Sequence, residues 1–192
     1  MSIVSAVSMV SIASIALGMA LGSVGVDPPA SKRMADGKEW TTTNLNVDSV
    51  PSSCYDDADA NCRRYGRLYT WEAAQRGCRA LGERWRLPTE QEWHDLGTRY
   101  GGLMEEAKDG GHATFAALLI GGSSGFDAML GGNRNGDDGS YARLEAHGFY
   151  WTATETTPGH AWFYNFGRGG GALNRHRDID TRTAASVRCI RD

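Results

Sequence analysis

Hydrophobic and polar residues alternate along the chain in distinct regimes. The first 26 residues carry no charged side chain, and Ile3 to Val26 is apolar with interspersed Ser, Ala and Gly. Such a run reads as an export signal, with Ala20, Gly22, Ser23 and Gly25 near a plausible cleavage point. The run has no basic start, and it is long enough to span a bilayer, so an uncleaved membrane anchor is the alternative. Residues 27–35 hold Pro28, Pro29, Ser31 and two basic residues, which is linker composition. The folded domain is expected over residues 36–192, from the turn pair Asp36-Gly37 onward.

Within that domain the pattern predicts a strand over Glu39–Val47, with Trp40, Leu45 and Val47 as core positions. An irregular Asp-rich loop is expected over Val50–Asn61. Thr70 then caps a helix whose apolar positions Trp71, Ala74, Cys78 and Leu81 share a face, and Gly82 stops it. A second helix opens on a capping box, Thr89 with Glu92, behind Pro88, and aligns Trp93, Leu96 and Tyr100. Thr114–Ile120 fits a helix or a strand. Gly121–Gly148 reads as loop, and Phe149–Glu155, Ala161–Phe166 and Ala184–Ile190 read as strands. Helices in one block and strands mostly in another give an α+β fold with an antiparallel sheet.

Charge and cysteine content narrow the function classes. The net charge of −3 shows no concentrated basic face, which argues against nucleic acid as a partner. Four cysteines in an exported chain read as two disulfides with three possible pairings. Cys54–Cys62, closing the Asp-rich loop, and Cys78–Cys189, closing most of the domain, are favoured. The long loop is worth about 4–5 kcal/mol on the chain-entropy account. No CxxC or HxxxH spacing suggests zinc.

Candidate chemistry is sparse. Asp57, Asp59 and Asn61 begin like a calcium loop, but Cys62 and Leu68 stand where the turn Gly and the bidentate Glu belong. Asn133, Asn135, Asp137 and Asp138 offer oxygen ligands amid Gly, so calcium is the one ion this loop would suit. Ordinary turn chemistry explains the same residues. GGSSG around Ser123 lacks the strand–helix context of a nucleophile elbow. The five His are scattered singly. The aromatic set Phe149, Tyr150, Trp151, Trp162, Phe163 and Tyr164 must split between two sheet faces, and an exposed half would make a sugar or protein contact surface. The candidate ligand contacts are Trp151, Glu155, Trp162, Tyr164, Asn174, Arg175 and Arg177. Five Arg cluster near the end, Arg168, Arg175, Arg177, Arg182 and Arg188, where an anionic ligand or pairing with Asp178 and Asp180 would neutralise them.

DGKEWTTTNLNVD (36–48), YGRLYTWEAA (65–74), RWRLPTEQEW (84–93), GFDAMLGGNR (125–134), GFYWTATE (148–155) and SVRCIRD (186–192) resemble, in order, the Fibrobacter succinogenes major paralogous domain family. The resemblance implies a C-type-lectin-like fold shared with formylglycine-generating-enzyme-like domains, in exported or surface-attached bacterial proteins. It also implies a tie from first helix to last strand, Cys78–Cys189. It supplies no catalytic residues. The Glu-Pro-Asn or Gln-Pro-Asp and Trp-Asn-Asp triplets of calcium-dependent sugar sites are missing, and Cys189 is the one late cysteine. The expectation is a secreted or cell-envelope, non-catalytic module without a cofactor that binds a glycan or surface protein and meets membrane only through residues 1–26. The alternatives are a formylglycine-generating-type oxidoreductase and a variable binding protein of a diversity-generating system.

Overall fold

The computed structural model describes residues 30–192, so the apolar segment 1–26 lies outside the described residues. Strand β1 (Ser31–Arg33) pairs antiparallel with β2 (Glu39–Thr41), which pairs with the last strand, β8 (Ile190–Arg191). The larger sheet comprises β3 (Gly131–Arg134), β4 (Tyr141–Leu144), β5 (His147–Thr157), β6 (His160–Gly167) and β7 (Ala172–Asp180), in the order β4-β3-β5-β6-β7. Its pairs are antiparallel except β3–β5, which meet in parallel at Gly132 and Gly148. Helices α1 (Asp59–Tyr65), α2 (Trp71–Arg79), α3 (Glu90–Arg99) and α4 (His112–Leu118) complete an α+β fold.

Both faces of the large sheet are covered. Phe149, Trp151, Ala161 and Phe163 pack with Ala73, Ala74 and Cys78 of α2 and with Val187 and Cys189. The alternate residues Tyr150, Tyr164, Phe166 and Leu173 pack with Trp93 and Leu96 of α3, Leu118 of α4, Trp40, Phe126 and Ile190. Strands buried on two faces read as continuous apolar runs, which is why FYW at 149–151 lacks polar alternation. The expectation that half of these aromatics would face solvent is therefore corrected: Trp151 and Tyr164 are wholly buried.

The segment Ala184–Ile190 lies between these layers. It does not run as one strand. Its backbone bonds go in turn to Arg134, Tyr69, Phe149, Leu45, Thr41 and Arg86. At its centre Arg188 is fully buried. Its guanidinium donates to Asn44 Oδ1 (2.8 Å), Thr41 O (2.8 Å), Phe126 O (2.7 Å) and Asp127 O (2.6 Å), and it lies 4.6 Å from the Phe126 ring centroid. Burial pushes its pKa down. Arg188 thus belongs to the core and not to a basic surface near the C-terminus. Gly66, at φ +77, closes α1 where a Cβ would lie 2.6 Å from Asn44 Cβ, so only Gly lets Asn44 sit beneath that turn.

Two disulfides are formed. Cys54–Cys62 braces α1 and Cys78–Cys189 ties α2 to the C-terminal segment across 111 residues. Two disulfides point to an oxidising environment. Among the described residues no helix is long and apolar enough to cross a membrane.

Helix α3 carries the expected capping box, Thr89 Oγ1 accepting from Glu92 N–H and the Glu92 carboxylate accepting from Thr89 N–H. Thr70 occupies the N-cap position of α2 without a side-chain bond. Several expectations change. The expected loop Val50–Asn61 ends early, because α1 begins at Asp59, buries Cys62 and Tyr65, and has no capping side chain to announce it. Residues 31–33 of the expected linker form β1. The strand from Glu39 ends at Thr41, after which Leu45 N–H turns to Val187. The expected loop 121–148 contains β3 and β4. The basic region after Phe166 is β7, whose charged residues suit an edge strand that would otherwise template aggregation.

Glu92 also receives two bonds of 2.7 Å from Arg86, which bridges to Ile190, and lies 3.3 Å from Lys38 Nζ. Burial opposes its ionisation, but the Arg86 and Thr89 donors outweigh it and hold the carboxyl at about 2, against an ordinary 4.5. Its side chain is only 12% exposed. A depressed folded-state pKa stabilises fully above about 4.5, and the contribution fades as pH falls towards 2; the difference is worth about 3 kcal/mol. Glu39, held at about 2 by Arg191, adds to the same acid slope. Glu92→Gln should lose roughly 2–3 kcal/mol at neutral pH, measured by urea unfolding, and should lose less than the parent between about pH 5 and 3. Equal acid slopes in the two proteins would contradict this assignment.

Candidate functional site

The contacts expected from sequence separate into three groups. Trp151 and Tyr164 are core residues: Trp151 Nε1 donates to Tyr69 O (2.9 Å), and the Tyr164 hydroxyl donates to Glu90 O (3.2 Å). They position strands and cannot touch a ligand. Trp162 is half-buried on β6, with Arg175 and Arg177 of β7 each 5.8 Å from its ring centroid. Arg175 is tied to Glu90 (3.1 Å) and Glu106 (3.2 Å), and Arg177 to Asp178 (2.9 Å). Asn174 stands opposite Asn165 in the β6–β7 register. Both Arg in this patch already have carboxylate partners, so their charge is largely neutralised.

Glu155 is placed differently. It lies near the end of β5, exposed, and one carboxylate oxygen accepts from Gly159 N–H (3.1 Å) in the β5–β6 turn. With Thr70, Trp71, Glu72, Gly159, Thr181 and Arg182 it lines a cleft of about 400 Å³. A second cleft of about 320 Å³ is lined by Ser52, Ser53, Asp57, Leu68, Thr70 and Arg134. The two share Thr70.

The frame beneath this groove is well fixed. Tyr69 and Ala185 exchange backbone bonds, and Trp71 N–H donates to Thr181 O (3.1 Å). Trp71 Nε1 donates to Thr152 O (2.8 Å), which orients the indole while leaving it half-buried. Arg182 bonds Asp180 and reaches Asp137 at 2.7 Å, so it joins the β3–β4 loop to the segment after β7. The hydrogen bonds from Arg182 push the Asp180 carboxyl below its usual range. Asp57 accepts from the Tyr141 hydroxyl (2.7 Å), and Arg134 lies over the Tyr141 ring (5.8 Å). Polar side chains stand on both sides of Thr70 among apolar ones such as Leu68 and Ala184, opposite charges are interspersed, and the Trp71 ring stands at one end.

In the loop considered for calcium, Asn135 Oδ1 accepts from Asp137 N–H (2.9 Å) and Asp138 accepts from Ser140 N–H (2.9 Å) and its hydroxyl (2.7 Å). Asn133, on β3, has a buried Oδ1 with no partner. Three of the four candidate ligands are thus engaged in turn bonds or with Arg182, and among the described residues no group of three His, Cys, Asp or Glu is arranged to hold a metal.

Trp71, Thr70 and Arg134 were not singled out as ligand contacts. Trp71 reads as the first core position of an amphipathic helix; it does pack against the margin of that core, and its place at the helix start leaves it half-buried and lining the cleft.

Arg182→Ala should release the β3–β4 loop. Amide exchange at Asp137 to Ser140 should accelerate while the melting midpoint barely moves, because the pairs it breaks are exposed. Unchanged exchange there would show that Arg182 does not hold that loop.

Residues 29–191 match the family model described as Fibrobacter succinogenes major domain (Fib_succ_major). No curated protein and no solved structure matches the chain.

Proposed function

The chain belongs to the Fibrobacter succinogenes major domain family, and from that premise we propose that it is an exported, non-catalytic binding module that holds a polar, extended ligand of the carbohydrate class in the groove across Thr70. The observation that carries this reading is the meeting of two clefts at one residue, with Trp71 and Glu155 at one end and Asp57 and Arg134 at the other. Sugars combine an apolar ring face with ring hydroxyls. A half-exposed indole receives the first, and interspersed carboxylates, hydroxyls and guanidinium groups receive the second.

We read the fold as C-type-lectin-like. Support comes from the bond between α2 and the C-terminal segment, from the pairing of β2 with β8, and from the long irregular stretches that flank the large sheet. On this reading the chain ends and the disulfide make a scaffold, and the loops carry recognition. The two disulfides weigh against the oxidoreductase alternative, whose chemistry needs a reactive thiol: the described residues contain no free cysteine. A variable binding protein would place its diversified residues across Trp162–Arg188, which includes Thr181, Arg182 and Ala184 of the groove lining. A near-copy of that coding segment beside a reverse transcriptase gene would mark that case.

Glycan-array screening followed by calorimetry tests the proposal. Neutral or mildly acidic oligosaccharides should bind, and Trp71→Ala or Glu155→Gln should weaken them by about fivefold to tenfold. Trp162→Ala should leave binding unchanged. A blank array, or binding that depends on Trp162 and not on Trp71, would sink this reading.

A further inference from the structure

A separate cleft lies behind α1 and shares no lining residue with the groove across Thr70. Its floor is Leu119, Ile120, Met129 and Leu130, and its rim is Arg64, Tyr65, Glu145 and Arg168. Ile120 is 58% exposed, one of the two large apolar side chains among the described residues that stand open to solvent. This cleft presents far less polar lining than the two clefts that meet at Thr70.

The floor is rigid. Ile120 N–H donates to Ala128 O (3.0 Å) and Ala128 N–H to Leu118 O (2.9 Å). The Tyr150 hydroxyl accepts from Met129 N–H and donates to Met129 O, both at 2.7 Å. The rim is ordered too. The Tyr65 hydroxyl donates to Glu145 Oε1 (2.5 Å), and Arg64 Nη2 lies 2.9 Å from the same atom. Glu145 has φ +59, a left-handed conformation uncommon for a residue with a side chain, held by its N–H bond to Leu130 O (2.8 Å). These fixed elements leave a cavity open before any ligand arrives, which lowers the ordering cost of binding.

Size and charge select the occupant. The cleft holds about 140 Å³, close to the roughly 150 Å³ of an apolar protein cavity that accepts a benzene ring. Two guanidinium groups and one carboxylate at the mouth leave one positive charge in excess. Arg64 and the Tyr65 hydroxyl already serve Glu145. Arg168 acts on Glu145 only through space and has no ion-pair partner at bonding distance among the described residues. Its backbone is fixed by a bond from its N–H to Ala146 O (2.9 Å), while its side chain is exposed. We propose that this cleft is a binding site for a small aromatic monocarboxylate, its ring seated on Leu119, Ile120, Met129 and Leu130 and its carboxylate paired with Arg168.

Methyl-labelled full-length protein, titrated with benzoate, benzyl alcohol and benzylamine, tests this directly. The three probes share a ring and differ in charge. Benzoate should shift the Ile120, Met129 and Leu130 methyl signals saturably, and benzylamine should bind about tenfold or more weakly. Arg168→Glu should cost benzoate a similar factor with no change in melting midpoint, since the side chain is exposed, and Arg168→Lys should retain most of the binding. Absent or non-saturable shifts, equal affinity for all three probes, or benzoate binding indifferent to Arg168→Glu would each overturn the proposal. Trp71→Ala, which tests the groove, should leave benzoate binding untouched, so failure of one site is distinguishable from failure of the other.

Discussion

The structure turns on one buried cation. Arg188 is fully buried, and four neutral oxygens from two stretches of chain, 41–44 and 126–127, accept its hydrogen bonds. A buried guanidinium is tolerated only where its donors are satisfied, so Thr41, Asn44, Phe126 and Asp127 must all be brought to it. That requirement fixes the strand leaving β2, the turn above Gly66 and the entry to β3. Val187 and Cys189, on either side of Arg188, reach the layer under α2, and Ile190 reaches the layer under α3. The Cys78–Cys189 bond secures the same segment covalently, and the Arg86–Glu92 pair locks the start of α3 to its end.

Both candidate sites hang from this frame. The groove across Thr70 lies where the chain before α2 pairs with the chain after β7, and the apolar cleft lies where the residues following α4 meet β3. Neither sits on the centre of the sheet, where both faces are packed. Both proposed sites therefore fall at the edges and loops of the scaffold, where side chains project beyond the packed layers. The groove and the cleft differ in chemistry for the same reason: one is bounded by polar loop residues, and the other exposes the margin of the second core, ending at Ile120.

Legibility in the sequence followed the physics of each element. The capping box at Thr89 and Glu92 is a local hydrogen-bond unit, and the face of α2 is a local periodicity, so both were readable. The two disulfides were readable as a favoured pairing among three. Helix α1 has no capping side chain, and its end is fixed by Tyr65, whose hydroxyl bonds the distant Glu145. Strands β3 and β7 are rich in Gly, Asn or charge, β4 is only four residues long, and all three exist through their partners. Ala184–Ile190 looked like a strand and is an extended seam bonded in turn to Arg134, Tyr69, Phe149, the stretch from Thr41 to Leu45, and Arg86. Glu155 reached a cleft as a polar residue at a strand end. Trp151 and Tyr164 did not, because aromatic alternation cannot tell a half-covered sheet from a doubly covered one. The role of Arg188 was invisible for a similar reason: a charged residue in an arginine-rich tail looks solvated until its four acceptors are assembled around it.

Denaturant unfolding of Arg188→Met at neutral pH, with both disulfides intact, tests the central claim most directly. Methionine fills much of the same volume but donates nothing, so four buried oxygens lose their donor. A loss of at least about 4 kcal/mol relative to the parent is predicted. A variant within about 1 kcal/mol of the parent would contradict the account, since the fold would then not depend on that cation.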